Sequence, residues 1–265
     1  MSEPGEVLPK VERGDFARRV QRARNALRRV RRGLRPRAES VCPDCPTDLF
    51  MAHVSVYWFA TRFVRGRRVL DLGCGTGYGT SDLLHAGATE VVGVDLDPKS
   101  VRYARRRYPS PGLSFHAGDA QRLSAMKPAL GQFDVILSSN VFEYLEDLPA
   151  ALDEVRRHLV PNGRFLLVIP PIADEETLEA NRRNPFHRTN LFVEEWARML
   201  GERFGWLRAF EHVPKPGIRP DFTDPFPSAL TPMDFEFFEV PVRLLGTRFT
   251  LGAMFLAEVP LGPEG

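Results

Sequence analysis

The run Val69-Leu70-Asp71-Leu72-Gly73-Cys74-Gly75-Thr76-Gly77-Tyr78-Gly79 constrains this chain more than any other stretch. Its first residues read as a buried strand that carries an acid near its end. Glycine then stands at every second position. Glycine has no Cβ, takes positive φ freely and lets a bound molecule come close to the main chain. From Thr80 to Leu84 the chain reads as a helix start, whose free N–H groups point back at the turn. A strand, a glycine turn and a helix N-terminus, in that order, make a nucleotide pocket within an α/β fold.

Spacing narrows the choice of nucleotide. A dinucleotide fingerprint needs G-x-G-x-x-G. Counted from Gly73 its third glycine falls on Tyr78, and counted from Gly75 it falls on Thr80. No G-K-S/T follows, so a Walker A loop is excluded as well. Asp71 at the strand end repels phosphate and suits a cation. S-adenosylmethionine, with an ammonium, a sulfonium and no phosphate, meets these demands. Glu90 to Asp95 reads as a second strand ending in an acid, placed to accept the ribose hydroxyls. Asp97-Pro98 opens the next helix, with Asp97 as its cap. Leu113 to His116 and Phe133 to Ser138 read as further strands, and Asp147-Leu148-Pro149 as a helix start. Pro161-Asn162-Gly163 turns into a strand from Arg164 to Ile169. Alternating strands and helices predict a parallel sheet with helices on both faces.

Residues 66–170 resemble the class I S-adenosylmethionine-dependent methyltransferases of the small-molecule branch. VLDLGCGTGYG is similar to the first family motif, VVGVDLDP to the second, GDA to the third and LVPNGRFLLVIP to the fifth-strand motif. The resemblance implies a Rossmann-like, doubly wound sheet of seven strands, mostly parallel, in order 3-2-1-4-5-7-6, with strand 7 antiparallel. It implies that Asp71, Gly73, Gly75, Gly77 and the adjoining Tyr78 hold the methionine end of the cofactor. Asp95 then binds the ribose, Leu96 packs on adenine, Asp119 with the Ala120 N–H reads the adenine edge, and Asn140 lines the methyl-transfer face. The family often has His where this chain has Tyr144.

Domain boundaries follow from composition and motifs. Residues 1–40 form a basic arm, with 12 Lys and Arg against 5 Asp and Glu. Phe16, Val20, Ala23, Leu27, Val30 and Leu34 repeat at helical spacing within it. Such a helical extension suits RNA, an anionic membrane surface, an acidic partner or a second copy through residues 10–37, or its own domain. The methyltransferase domain takes 41–265: an N-terminal helix in 41–65, a cofactor-binding core in 66–172, and acceptor-side loops, helix and final strands in 173–265. Base methylation in DNA is not expected, because Ser138-Ser139-Asn140-Val141 stands where that chemistry uses N/D-P-P-Y/F.

Three cysteines make no disulfide framework, and no secretory leader or run of 18 apolar residues is evident. A reducing, cytoplasmic setting is expected. Cys42-Pro43-Asp44-Cys45 offers only two thiolates, so no metal site is expected. The aromatic-rich segment 47–64 reads as a helix, with His53 and Tyr57 on one face. Asp174 to Arg183 reads as polar and mobile, and residues 214–232, with six prolines, as an acceptor lid. The last strands are expected at 234–242 and 247–258, as a closing pair or an added hairpin. His187, Tyr144 and Glu143 are candidate bases for a hydroxyl acceptor. The expected activity is transfer of a methyl group to a small hydroxyl or amine acceptor of sugar or natural-product type. Methylation of RNA and a non-catalytic cofactor-binding module are the competing readings.

Overall fold

A computed structural model describes residues 43, 44, 46–224 and 226–260. The basic arm, the Cys42 and Cys45 pair and the helix expected in the arm lie outside the described residues.

Helix α1 (Asp48–Ala60) starts where the Thr47 hydroxyl accepts the Phe50 N–H at 3.3 Å. Five strands then alternate with helices. They are β1 (Arg68–Leu72), β2 (Glu90–Asp95), β3 (Leu113–Ala117), β4 (Phe133–Ser139) and β5 (Leu159–Ile169). Between them lie α2 (Tyr78–His85), α3 (Pro98–Arg107) and α4 (Leu148–His158). Asp97 and Asp147 cap α3 and α4 through side-chain oxygens, with Pro just inside each helix. The chain continues through α5 (Glu175–Arg182), α6 (Val193–Gly201), β6 (Trp206–Pro214), β7 (Phe235–Val240) and β8 (Gly252–Glu258).

The strands form a single sheet in the order β3-β2-β1-β4-β5-β8-β6-β7. β1 to β5 are parallel, and Leu70 lies between Val92 and Ile136 in the register. β8 runs antiparallel between β5 and β6. The expected order and the antiparallel insertion are therefore present. The strand count is corrected from seven to eight, because β7 hairpins back onto the outer side of β6.

Neighbouring strand residues point to opposite faces, so each strand feeds two cores. Leu70, Ile136, Phe165 and Phe255 pack with Phe142 and Trp196 on one face. Val69, Val91, Val135, Leu166 and Met254 pack beneath α1 and α2 on the other, against Tyr57, Phe59 and Leu83. Both faces of the central strands are covered, which is why their sequences run apolar instead of alternating.

Two segments depart from the sequence reading. Residues 206–214 form β6, which was not anticipated, since Glu211 and His212 are buried and break the apolar run. β7 and β8 are also not each other's partner, because β6 lies between them. Residues 175–182 form a helix where mobility was expected. Asp174 and Thr177 make a reciprocal capping box that starts it. Among the described residues no helix is long and apolar enough to cross a membrane.

Candidate active site

The glycine turn after β1 is sewn to the tip of β2. The N–H groups of Gly73 and Cys74 donate to the Val94 carbonyl at 2.7 and 3.1 Å. Gly75 donates to Asp95 Oδ2 at 2.7 Å. Gly73 has φ of 83°, and a Cβ there would meet Val141 Cγ2 at 2.1 Å, so no larger residue fits. A Cβ on Gly75 would meet nothing within 4 Å. The space over Gly75 is therefore open, and bare main chain forms its floor.

Asp95 is held from two sides, since the Asp97 N–H donates to Oδ1 at 2.8 Å while Gly75 holds Oδ2. Burial raises its pKa, against these two hydrogen bonds. Each oxygen keeps a lone pair for a ligand hydroxyl. Gly118, in the turn after β3, donates to the Asp95 carbonyl at 3.0 Å. This brings the Asp119-Ala120 turn beside the β2 tip. Asp119 Oδ1 accepts from the Gln121 N–H at 2.9 Å and starts a short 3-10 turn. Leu96 stands between the two turns with 75% of its surface exposed.

Asp71 lies deeper than a cleft-lining role requires. It is fully buried; Tyr57 donates to Oδ1 at 3.2 Å and Thr80 to Oδ2 at 2.6 Å. Burial pushes its pKa up to about 7, with the two hydroxyl donors opposing the shift and the nearby Asp95 adding to it. Its charge therefore acts from beneath the turn. Thr80 was not anticipated as part of the site; its only signal is a hydroxyl one helical turn inside α2. Tyr57 packs on Gly79 and sets its ring edge-on to Tyr78, 5.5 Å between centroids. Tyr78 packs in turn on Phe50 at 4.8 Å. Helix α1 is thus locked onto the turn.

His53 is half-buried, with its pKa lowered to about 4 by desolvation, and it lowers the pKa of His212 on β6, whereas Tyr57 reaches Asp71.

At the end of β4, Asn140 takes a φ of 54° and donates its N–H to the Val168 carbonyl at 2.9 Å. A non-glycine residue in this region is uncommon and clusters at functional positions. Ser139 Oγ and Thr76 Oγ1 are buried, and neither finds a hydrogen-bond partner among the described residues. Ser139 is the last residue of β4 and Thr76 lies in the turn after the adjacent β1, the two strands aligning at Leu72 and Ser138. A buried polar group left unpaired costs about 1–3 kcal/mol. Two of them beside an open glycine floor suit a ligand with polar groups of its own. The residues present therefore fit S-adenosylmethionine.

Two of the three candidate bases, Tyr144 and His187, meet, and Glu143 is tied to the same loop through its main chain. The Arg188 and Thr189 N–H groups donate to the Glu143 carbonyl at 2.8 and 2.9 Å. Thr189 Oγ1 donates to the Leu145 carbonyl at 3.1 Å. The loop after β4 and the loop before α6 are thereby stitched together. His187 meets Tyr144 edge-on at 5.0 Å between centroids. With the amides oriented as found, His187 Nδ1–H donates to Asn181 Oδ1 at 2.7 Å and Nε2 accepts from Asn184 Nδ2 at 3.0 Å. The Glu143 side chain is buried, 2% exposed.

The loop after β6 also reaches this edge. β6 runs in the same direction as β5, since both are antiparallel to β8. Asp221 donates its N–H to Asp48 Oδ2 at 2.8 Å, and Ser228 donates its hydroxyl to Asp48 Oδ1 and its N–H to the Pro46 carbonyl. Asp221 and Ser228 are thus pinned to the start of α1. Among the described residues no group of three His, Cys, Asp or Glu side chains could hold a metal ion.

Comparison with known proteins agrees with this geometry. A family model described as a methyltransferase domain matches residues 70–167. A Mycolicibacterium smegmatis relative, named as an S-adenosylmethionine-dependent methyltransferase, is 32% identical over 151 residues, which is 57% of this chain and 56% of that one. The malonyl-[acyl-carrier protein] O-methyltransferase of Halorhodospira halophila is 40% identical over 104 residues, 39% of this chain and 35% of that one. The chain thus spans about half the length, or less, of these two relatives. Among solved structures, a chain of the complex between the Haloferax volcanii Trm112 methyltransferase activator and a methyltransferase superposes with a TM-score of 0.58 at 21% identity, covering 80% of this chain and 93% of that one. At that identity the likeness speaks to the fold alone. With its glycine turn, its two acid-bearing strand ends and its sheet order, the chain carries a stretch, residues 70–167, that matches a methyltransferase domain.

Proposed function

We propose that the chain transfers a methyl group from S-adenosylmethionine to a small-molecule hydroxyl or amine. The observation that carries this reading is the open glycine floor at Gly75 with Asp95 fixed beside it. Asp95 holds the ribose, and Leu96, Asp119 and Ala120 receive the adenine. The turn from Gly73 to Gly77, with Tyr78 behind it, takes the methionine end, and Asp71 supplies negative potential from below. Asn140, Thr76 and Ser139 face the remaining polar groups. The bound cofactor supplies an electrophilic methyl on a sulfonium, open to in-line displacement.

What the chain adds is position and dryness. Holding a nucleophile in line contributes as much as roughly 7–11 kcal/mol in favourable systems. The loop pair at Glu143-Tyr144 and His187-Thr189 forms the acceptor side. His187 serves a hydroxyl acceptor as base through Nε2, which requires Asn184 to release that nitrogen. An amine that arrives neutral needs no base. The loop 215–231, anchored at Asp48, covers the acceptor and excludes water.

The family match ends at residue 167. Residues beyond it, with Glu143 and Tyr144 inside it, select the acceptor, and the acyl-carrier substrate of the Halorhodospira relative is not carried over. Isothermal titration with S-adenosylmethionine, followed by a labelled-methyl screen against hydroxyl and amine panels, tests the reading. Binding and transfer to a small acceptor are expected. Binding with no transfer to any acceptor would make the chain a cofactor-binding module, and transfer to RNA alone would move the acceptor class.

A further inference from the structure

We infer that the groove between α1 and β7 is a second small-molecule site, separate from the cofactor cleft, which takes an amphiphile with an apolar body and one anionic head. The groove holds about 410 Å³, within the range of roughly 300–1,000 Å³ usual for ligand pockets. It exists because this sheet has an eighth strand. β7 extends the sheet past β6, and the outer side of α1 then faces it across a gap.

The floor is aromatic. Trp58 and Phe59 come from α1, and Phe235, Phe237 and Phe238 from β7. Phe237 is held in place from two sides. Phe59 packs on it at 4.5 Å between centroids, and the His212 ring stacks on it at 4.5 Å with 3° between planes. Ser55, which lines the groove, donates to the Ala52 carbonyl and so accepts from His212 Nε2–H at 2.9 Å. His212 is neutral there, since burial lowers its pKa to about 3. The floor is preorganised and uncharged.

Among the described residues the rim supplies one unspent cation. Lys215 is matched by Glu236 at 3.8 Å. The Arg62 guanidinium lies over the Phe59 ring, 4.7 Å from its centroid, and pairs with no carboxylate among the described residues. A cationic head meets only Glu236, whose charge Lys215 already matches. A carboxylate or sulfonate on an apolar body pairs with Arg62 and lays that body across Trp58 and Phe237. None of Asp71, Gly75, Asp95, Asn140 or His187 lines the groove, so the two sites can be filled together.

The test titrates the full chain calorimetrically with sodium dodecanoate below its micelle concentration, with and without saturating S-adenosylhomocysteine. Dodecyltrimethylammonium chloride serves as the charge-reversed probe. Saturable binding of one dodecanoate is expected, changed less than twofold by S-adenosylhomocysteine, with the cationic probe at least tenfold weaker. The exposed-site variant Arg62→Gln, checked for an unchanged melting temperature, should weaken dodecanoate at least tenfold. The inference is overturned by displacement of dodecanoate by S-adenosylhomocysteine, by equal binding of the cationic probe, or by undiminished binding in Arg62→Gln.

Discussion

Asp95 and Asp71 divide the work at the residue scale. Asp95 is reachable and already organised by the Gly75 and Asp97 N–H groups. Two hydrogen bonds from hydroxyls to a carboxylate contribute about 1.5–3 kcal/mol each. Asp95→Ala should therefore weaken S-adenosylmethionine binding by about 100-fold or more, with a circular-dichroism spectrum like the wild type. Unchanged affinity would remove Asp95 from the site. Asp71 gives a different signal, because burial places its pKa at about 7. A cationic ligand above it favours the ionised form, so ligand affinity rises with pH until the carboxyl is fully ionised. Calorimetry on the wild type should show tighter binding from pH 6 to pH 7.5, levelling off above that; a flat profile would mean that Asp71 keeps one charge state throughout. The position of Asp95 was legible in the sequence because a strand-tip acid at a fixed distance from the turn is a local pattern. The depth of Asp71 was not, since it is created by Tyr57 and Thr80 closing over it from two different helices.

At the scale of elements, local chemistry governed what could be read. Asp97-Pro98 and Asp147-Pro149 announce α3 and α4, and both helices start there. β6 escaped because its centre, Glu211-His212, is polar yet buried: Arg248 pairs with Glu211, and Ser55 with His212. Partners so distant in sequence leave no local trace. The same burial predicts acid sensitivity. His53 and His212 have folded pKa values lowered to about 4 and about 3 from an ordinary 6.5. Below pH 6.5 the unfolded chain binds more protons at these positions than the folded one. Their neutrality therefore supports the fold above that pH, and the support is lost as pH falls towards 3. Urea denaturation at pH 7 and pH 5 should give a lower midpoint at pH 5, and His212→Phe should shrink the difference. An equal difference in that variant would clear His212. The loop 215–231 is pinned by Asp48 to the start of α1. Asp48→Ala should speed proteolytic cutting in this loop and raise the acceptor KM several-fold, while cofactor affinity moves less than twofold. A cofactor affinity that falls as much as the acceptor KM rises would tie the loop to the wrong ligand.

At the scale of the whole molecule, cofactor binding should stabilise every layer at once. The cleft is framed by β1, β2 and β4, and α1 locks onto the glycine turn through Tyr57, Tyr78 and Phe50. A ligand at about 100 times its Kd adds about 2.7 kcal/mol to the folded state. That corresponds to a rise in Tm of about 5–10 °C for a chain of this size, and Asp95→Ala should remove most of it. The sheet order follows from alternating strands and helices and from the motif resemblance, whereas the eighth strand and the groove it opens come from pairing across the sheet edge. A crystal structure with S-adenosylhomocysteine decides the whole reading. Its ribose hydroxyls should bond to Asp95, its adenine should rest between Leu96 and Ala120, and its sulfur should face Asn140 above Gly75. A ligand bound elsewhere, or a diphosphate lying across the glycine turn in its place, would show that these strand tips hold a different nucleotide.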